Sequence, residues 1–340
     1  MSNTKTHRIA VIGGDGIGPE VTSAALEVVA ATGVSFATTG FELGAARYLR
    51  DGFVLDDQTL AELGGHDAIL LGAIGPAIGD TRIPGGLLER GLLLRIRFGL
   101  DLYINYRPFR ATPGSLADGC EFAIVRENTE GPYAGEGGVL RYGTDHEIAT
   151  QGSVNTRFGV ERCVRFAFEK ALTLDSPKVT LVHKTNVLTF AGNLWTRVMA
   201  LVGAEYPQVA VDYQHVDAAC IYLVEDPQRY GIIVTDNLFG DILSDLAGAV
   251  TGGIGYAASA NLNPPRTNAS LFEPVHGAAH DIVGTNRANP LAAIVSAVLM
   301  LEHLGETEAA SRIRAAVADF DGDPVALGTT GITNDILRRI

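Results

Sequence analysis

Apolar residues along this chain gather in short unbroken runs separated by amphipathic stretches. RIAVIG (8–13), DAILLG (67–72), LYINYRP (102–108), EFAIVRE (121–127), VTLVHK (179–184), VAVDYQ (209–214) and GIIVT (231–235) read as strands, because they are short and rich in β-branched residues. Between them, apolar spacing of three to four predicts helices over 19–32, opening on Pro19, and near 87–98, 156–173, 190–203, 216–225 and 239–250. Two further helical stretches, 289–304 and 307–319, close the chain. The alternation predicts an α/β protein with buried, largely parallel strands. Residues 135–152 (GEGGVLRYGTDHEIATQG) read as a protruding hairpin or arm, and the glycine patch at 252–255 as a loop and a candidate domain crossover.

Composition adds bounds to this picture. The chain has 340 residues, 46% of them hydrophobic, which is enough for a sizeable core and suggests two domains or one large α/β unit. The net charge of −13 argues against nucleic acid or an anionic membrane as the main partner, while leaving room for a locally basic site. Cys120, Cys163 and Cys220 form no CxxC pair and suit a reducing compartment. The N-terminus shows no signal-type apolar region, and the longest apolar run, AAIVSAVLML (292–301), is too short to span a bilayer. A cytoplasmic location is therefore expected.

Four constellations carry candidate chemistry. GGDGIGP (13–19) follows a strand and precedes a helix, but its glycines fall as GxGxG and no clear acid closes a second strand about twenty residues on. A tight turn explains it better than a Rossmann fingerprint. Arg97, Arg107 and Arg126 are guanidinium forks suited to carboxylate oxygens, the last two read as strand-end residues. Taken singly, each is more readily a solvated surface arginine than a ligand. Lys184 ends a predicted strand, and Tyr133 lies in RENTEGPY; both are proton-transfer candidates, with an ordinary surface charge and a half-buried tyrosine as the plain alternatives.

The fourth constellation is acidic. Asp217 opens a predicted helix, and Asp241 and Asp245 lie one turn apart in VTDNLFGDILSD. Facing carboxylates repel unless a cation holds them, and hard oxygen donors of this kind suit Mg²⁺ or Mn²⁺. Asp241 is equally well a helix N-cap and Asp245 a first-turn acid. Spacing leaves the two alternatives open, and Asp236 reads as a loop acid.

Together these segments identify a resemblance. RIAVIGGDGIGPEV (8–21), HKTNVL (183–188), DNLFGDILSDLAG (236–248) and FEPVHGAAHDIVGTNRANP (272–290) resemble, in order, the metal-dependent β-decarboxylating dehydrogenases acting on isopropylmalate, isocitrate, homoisocitrate and tartrate. The resemblance implies a two-domain open α/β fold with a large mixed sheet, distinct from the Rossmann fold. It implies a first, cofactor-binding domain from 1–102 plus 254–340. A second domain, 103–253, would hold metal, substrate and the dimer interface.

Position by position, the resemblance implies that Arg97, Arg107 and Arg126 hold the malate carboxylates and that Tyr133 is the acid protonating the enol. Lys184 and Asp217 would come from the partner subunit of a homodimer, Lys184 to serve the hydroxyl proton and Asp217 to contact substrate and to join Asp241 and Asp245 around Mg²⁺ or Mn²⁺. Glu89, Glu273, His276, Gly277, Asp281 and Asn289 would face the cofactor, with Asp281 against the adenosine ribose favouring NAD over NADP.

The segment ERGLLLRIR (89–97) is similar to the isopropylmalate-using branch, with Leu93 and Leu94 as an apolar wall; a core role for these leucines is the alternative. The implied reaction is oxidative decarboxylation of 3-isopropylmalate in leucine biosynthesis. The same chemistry on D-malate, tartrate, homoisocitrate or another alkylmalate is the runner-up, since RENTEGPY (126–133) has the form common in those relatives and His280 stands where proline is usual. A non-catalytic regulatory subunit ranks last, because the catalytic set is intact.

Overall fold

The computed structural model describes residues 5–340. Its chain divides into two compact units, one built from the chain up to Leu102 together with Gly253–Ile340, the other from Tyr103–Gly252. In chain order the first unit begins with β1 (His7–Gly14), α1 (Gly18–Ala31), β2 (Phe36–Gly40), α2 (Ala45–Asp51), α3 (Asp57–Gly64) and β3 (Ala68–Ala73). A π-helical stretch, Glu89–Leu94, then runs into the short helix α4 (Arg95–Gly99). The second unit holds β4 (Ile104–Arg110), β5 (Glu121–Glu127), β6 (Gly137–Leu140), β7 (Ile148–Gln151), α5 (Arg157–Ala171), β8 (Lys178–His183) and α6 (Thr189–Gly203). It continues with β9 (Ala210–His215), α7 (Val216–Glu225), β10 (Ile232–Thr235) and α8 (Asn237–Val250). The chain returns to the first unit with β11 (Ala258–Leu262), β12 (Ser270–Pro274), α9 (Leu291–Leu304), α10 (Thr307–Ala318) and α11 (Pro324–Arg339).

Five strands of each unit run in the order β2-β1-β3-β12-β11 in the first and β4-β5-β10-β8-β9 in the second, with β6 and β7 paired apart from them. Most neighbours are parallel. The arrangement is largely parallel, as expected, with β12 against β11 and β4 against β5 as antiparallel pairings. Their connections, residues 263–269 and 111–120, contain no crossover helix, so the chain can only double back. The mixed strand polarity and flanking helices give the α/β class expected. Every residue of β3 and β10 is buried, the signature of strands covered on both faces.

The interior of the first unit gathers Ile12, Leu71, Leu92, Ile96, Leu102 and Leu271. Burying each such side chain contributes about 1.5–3 kcal/mol. Helix α9 (LAAIVSAVLMLEHL), apolar nearly all round, packs against β12, β11 and α1. In the second unit α5 covers β5 and β10, and α8 lies against β5. The predicted arm is the antiparallel pair β6–β7, exposed throughout.

Several elements were not foreseen. Strand β2 (FATTG) is a largely exposed edge strand without an apolar run, and β11 and β12 mix Ser, Asn and Glu into buried positions. Helices α2, α3 and α11 are short, weakly apolar or broken, α11 by Gly328 at φ +66. The helix predicted near 87–98 is half π-helical, which no three- to four-residue spacing reveals.

Candidate active site

The strongest grouping of polar side chains in the second unit forms around α8. Arg126 lies near the end of β5 and Arg107 in the middle of β4, not at a strand end as expected. Arg126 faces Asn105 across the antiparallel ladder, so Arg107, two residues along, projects from the same face. Helix α8 approaches that face through Gly240, where a Cβ would stand 2.6 Å from the Arg126 side chain. Asn237 and Asp241 are four apart on this helix and both grip Arg126: its Nε donates to Asn237 Oδ1 at 2.9 Å, and its Nη1 donates to Asp241 Oδ1. Tyr133 donates its hydroxyl to the other Asp241 oxygen at 2.6 Å. Arg107 lies 3.7 Å from both the Asp241 and Asp245 carboxylates and donates to Ser244 Oγ at 2.5 Å. Burial and the nearby Asp241 charge push the Asp245 carboxyl above its usual range, while Arg107 pulls it down.

This geometry excludes the capping alternative for Asp241. Helix α8 starts at Asn237, and its N-cap is Asp236, whose carboxylate accepts the Phe239 amide at 2.8 Å. Asp236, read as a loop acid, is therefore a buried cap, and burial raises its pKa to about 6. Its neighbour at 3.6 Å is His183, fully buried at the end of β8, whose pKa burial lowers to about 4. Lys184 sits just beyond that strand and donates to Asp217 Oδ1 at 2.7 Å, which holds the Asp217 carboxyl below its usual value. Asp217 lies in the first turn of α7, as its position suggested.

Glu127, unremarked in sequence, follows Arg126 and is 2% exposed. Its carboxylate accepts the Thr129 amide (2.9 Å), the Thr129 hydroxyl (2.8 Å) and the Glu130 amide (2.7 Å), which shapes the loop leading to Tyr133. Burial nevertheless pushes its pKa to about 7.

In the first unit the glycine turn is a backbone closure. Gly16 has φ +58, and a Cβ there would stand 1.8 Å from the Ala278 carbonyl oxygen. The Ile17 amide donates to that same oxygen at 2.8 Å. The buried Asp15, also missed in sequence, accepts the amides of Ala45 (2.8 Å), Ala46 (3.1 Å) and Gly75 (3.0 Å). His280 donates from Nε2 to the Gly75 carbonyl at 2.8 Å, so the histidine ties its turn to the loop after β3.

Arg97 donates to Glu273 Oε1 at 3.1 Å, and the same oxygen accepts from Asn261 at 2.7 Å. Asn289 Oδ1 accepts the Leu291 amide at the start of α9 at 3.0 Å. Glu89 and Asp281 are exposed, and Gly277 has open space where a Cβ would stand. Leu94 is buried and Leu93 packs partly buried on the core.

The donor sets bear on the implied metal and cofactor. Asp241 and Asp245 present hard oxygens from one helix face and share Arg107 as their counter-charge, which fits a divalent cation. Among the described residues no three His, Cys, Asp or Glu side chains come together as a metal group. On the cofactor side His276 has a buried Nε2 without a hydrogen-bond partner, and burial lowers its pKa. An unpartnered imidazole nitrogen and, separately, the exposed Asp281 carboxylate are of the kind that hydrogen-bonds the groups of a dinucleotide.

Comparison with known proteins follows the same lines. The sequence model of the isocitrate/isopropylmalate dehydrogenase family matches residues 8–338. A 3-isopropylmalate dehydrogenase from Clavibacter sepedonicus is 54% identical over 99% of this chain and 98% of its own length. Another from Beutenbergia cavernae is 57% identical over 92% of each chain. A crystal structure of isocitrate dehydrogenase from Methylococcus capsulatus superposes with a TM-score of 0.88 at 37% identity, covering 98% of this chain and 99% of that one.

Proposed function

The chain belongs to the isocitrate/isopropylmalate dehydrogenase family and is a β-decarboxylating dehydrogenase; from that premise we propose that it oxidises and decarboxylates 3-isopropylmalate with NAD, a step of leucine biosynthesis in the cytoplasm. The observation that carries this reading is the convergence of Arg107, Arg126 and Tyr133 on Asp241, with Asp245 one turn further along α8. Two guanidinium forks and a phenol around a pair of carboxylates are far more polar apparatus than the fold requires.

In this reading Arg107 and Arg126 take the malate carboxylates, and Arg97 has the same role. Lys184 of the second copy, in its deprotonated amine form, accepts the hydroxyl proton at Nζ, and Tyr133 delivers a proton to the substrate carbon after CO₂ leaves. Asp241 and Asp245 of one chain and Asp217 of a second copy hold Mg²⁺ or Mn²⁺. When bound, the cation supplies Lewis-acid stabilisation of the substrate oxygen and NAD accepts the hydride. Glu89, Glu273, His276, Gly277, Asp281 and Asn289 serve the NAD side. Glu273 also holds Arg97 on the substrate side, and Asn289 accepts the first amide of α9. Asp281 discriminates against a 2′-phosphate by charge.

A homodimer sharing its sites is supported by exposed apolar residues on α7 and α8, which carry Asp217, Asp241 and Asp245, and at the start of α6. Phe190, Ile221, Val224, Leu238 and Ile242 are 94%, 54%, 44%, 38% and 53% exposed, more than a solitary surface carries comfortably. Among the described residues no helix is long and apolar enough to cross a membrane.

Leu93 and Leu94 favour an alkyl substituent over a third carboxylate. Isocitrate is the rival substrate, because the Methylococcus enzyme superposes so closely. Turnover of 3-isopropylmalate, isocitrate, homoisocitrate, D-malate and tartrate with NAD and NADP, at fixed Mn²⁺, decides between them. The expected result is the highest kcat/KM on 3-isopropylmalate with NAD. Equal or better turnover of D-malate or isocitrate would contradict it.

A further inference from the structure

Asn237 takes no part in the roles above, yet it is among the most enclosed polar groups of the cluster, 1% exposed. Both ends of its amide are engaged. Oδ1 accepts from Arg126 Nε at 2.9 Å, and Nδ2 donates to the Glu130 carbonyl at 3.0 Å. That carbonyl belongs to the loop that carries Tyr133. Gly131, next in the loop, has φ +73, and a Cβ on it would come within 3.2 Å of Asn237 Cβ. The loop therefore rests directly on this side chain.

The contacts close a ring. Arg126 holds Asn237, Asn237 holds the loop at Glu130, the loop carries Tyr133, Tyr133 donates to Asp241, and Asp241 accepts from Arg126. The Arg126 guanidinium also lies 5.2 Å from the centroid of the Tyr133 ring. We infer that Asn237 is a positioning residue that fixes the Tyr133 loop relative to Arg126, so that one amide sets where the proton donor stands over the gripped carboxylate. The inference rests on the proposed roles of Tyr133 and Arg126.

An amide is the group this position demands. Asparagine offers one acceptor and two donors in a rigid plane, matching an N–H on one side and a carbonyl on the other. A carboxylate would keep the bond to Arg126 and set a second oxygen against the Glu130 carbonyl, an acceptor facing an acceptor. A methyl would release both partners. The two substitutions separate the two functions.

Asn237→Asp, Asn237→Ala and Tyr133→Phe are measured in steady state with 3-isopropylmalate, NAD and Mn²⁺, with rates scaled to the folded fraction seen by circular dichroism. Asn237→Asp should lower kcat roughly tenfold or more while KM for 3-isopropylmalate stays within about threefold, because the loop moves and Arg126 does not. Asn237→Ala should lower kcat and also raise KM about tenfold, since Arg126 is released as well. If Ala does not fold, the Asp variant alone carries the test. The inference is overturned if the Asp variant keeps its kcat while Tyr133→Phe loses it, or if the two Asn237 variants change kcat and KM in the same proportion. Should Tyr133→Phe keep full kcat, the reading of Tyr133 as the proton donor fails instead.

Discussion

The turn after β1 and the start of α8 are built to similar plans. In each, a buried strand hands the chain to a helix through a stretch that holds glycine or acid. What surrounds them differs. In the turn, Asp15 is consumed by three backbone amides, and Gly16 lies so close to the Ala278 carbonyl that no side chain fits. At α8, Asp236 alone performs the comparable capping, while Asp241, Asp245, Arg107, Arg126 and Tyr133 engage one another through side chains. Groups that satisfy backbone hydrogen bonds serve the fold. Charged groups gathered beyond that need are available to a ligand, and the contrast between these two βα junctions separates structural acids from functional ones.

The largest effect should come from Asp241→Asn. It weakens the anchor shared by Arg126, Arg107 and Tyr133, and kcat should fall by about 10³-fold, while the melting temperature moves by only a few degrees. A melting temperature lowered in proportion to the lost activity would make Asp241 a structural acid like Asp15. Next comes Gly16→Ala in the turn. Its left-handed φ and the clash with the Ala278 carbonyl should cost about 2–4 kcal/mol in denaturant unfolding, with kcat per folded molecule nearly unchanged. A normal stability with altered NAD KM would turn the glycine turn into a ligand site. Asp15→Asn should be milder, about 1–2 kcal/mol, because the amide oxygen still accepts part of what the carboxylate held.

The smallest effect is a pH dependence. Glu127 has its folded pKa raised to about 7 from 4.5 by burial, so the folded state keeps a proton that the unfolded chain gives up sooner. Its contribution to stability is fully present below pH 4.5 and is lost as pH rises towards 7. Glu127→Gln should therefore gain stability relative to the parent across that window, seen as diverging urea midpoints. A constant difference between the two proteins from pH 4.5 to 7 would place the carboxylate in contact with solvent and remove it from the frame of the Tyr133 loop.

Much of this contrast was legible in the residue pattern. The covered strands announced themselves through unbroken apolar runs, as IIVT in β10 and AILLGA in β3 do. The acids of α8 stood out by their four-residue spacing. What stayed hidden has physical causes. Strand β2 is an edge strand and needs few apolar residues. Strand β12 carries Glu273 into the interior because Arg97 and Asn261 meet it there, a pairing made by tertiary contact alone. Asp15, Asp236, Glu127 and Asn237 are buried polar residues whose partners are backbone groups or distant side chains, and no local spacing reports such partners. Asp236 was misread for that reason, and Asp241 was separable from a cap only once the first residue of α8 was located.

The most direct test of the central claim, that α8 presents Asp241 and Asp245 to a cation and a dianionic substrate, is a Mn²⁺ titration followed by electron paramagnetic resonance. It is run with and without 3-isopropylmalate, on the parent chain and on Asp241→Asn. Mn²⁺ should bind the parent at least about tenfold more tightly with 3-isopropylmalate present, and Asp241→Asn should lose that enhancement. Equal Mn²⁺ affinity in the two proteins, unmoved by 3-isopropylmalate, would contradict the account.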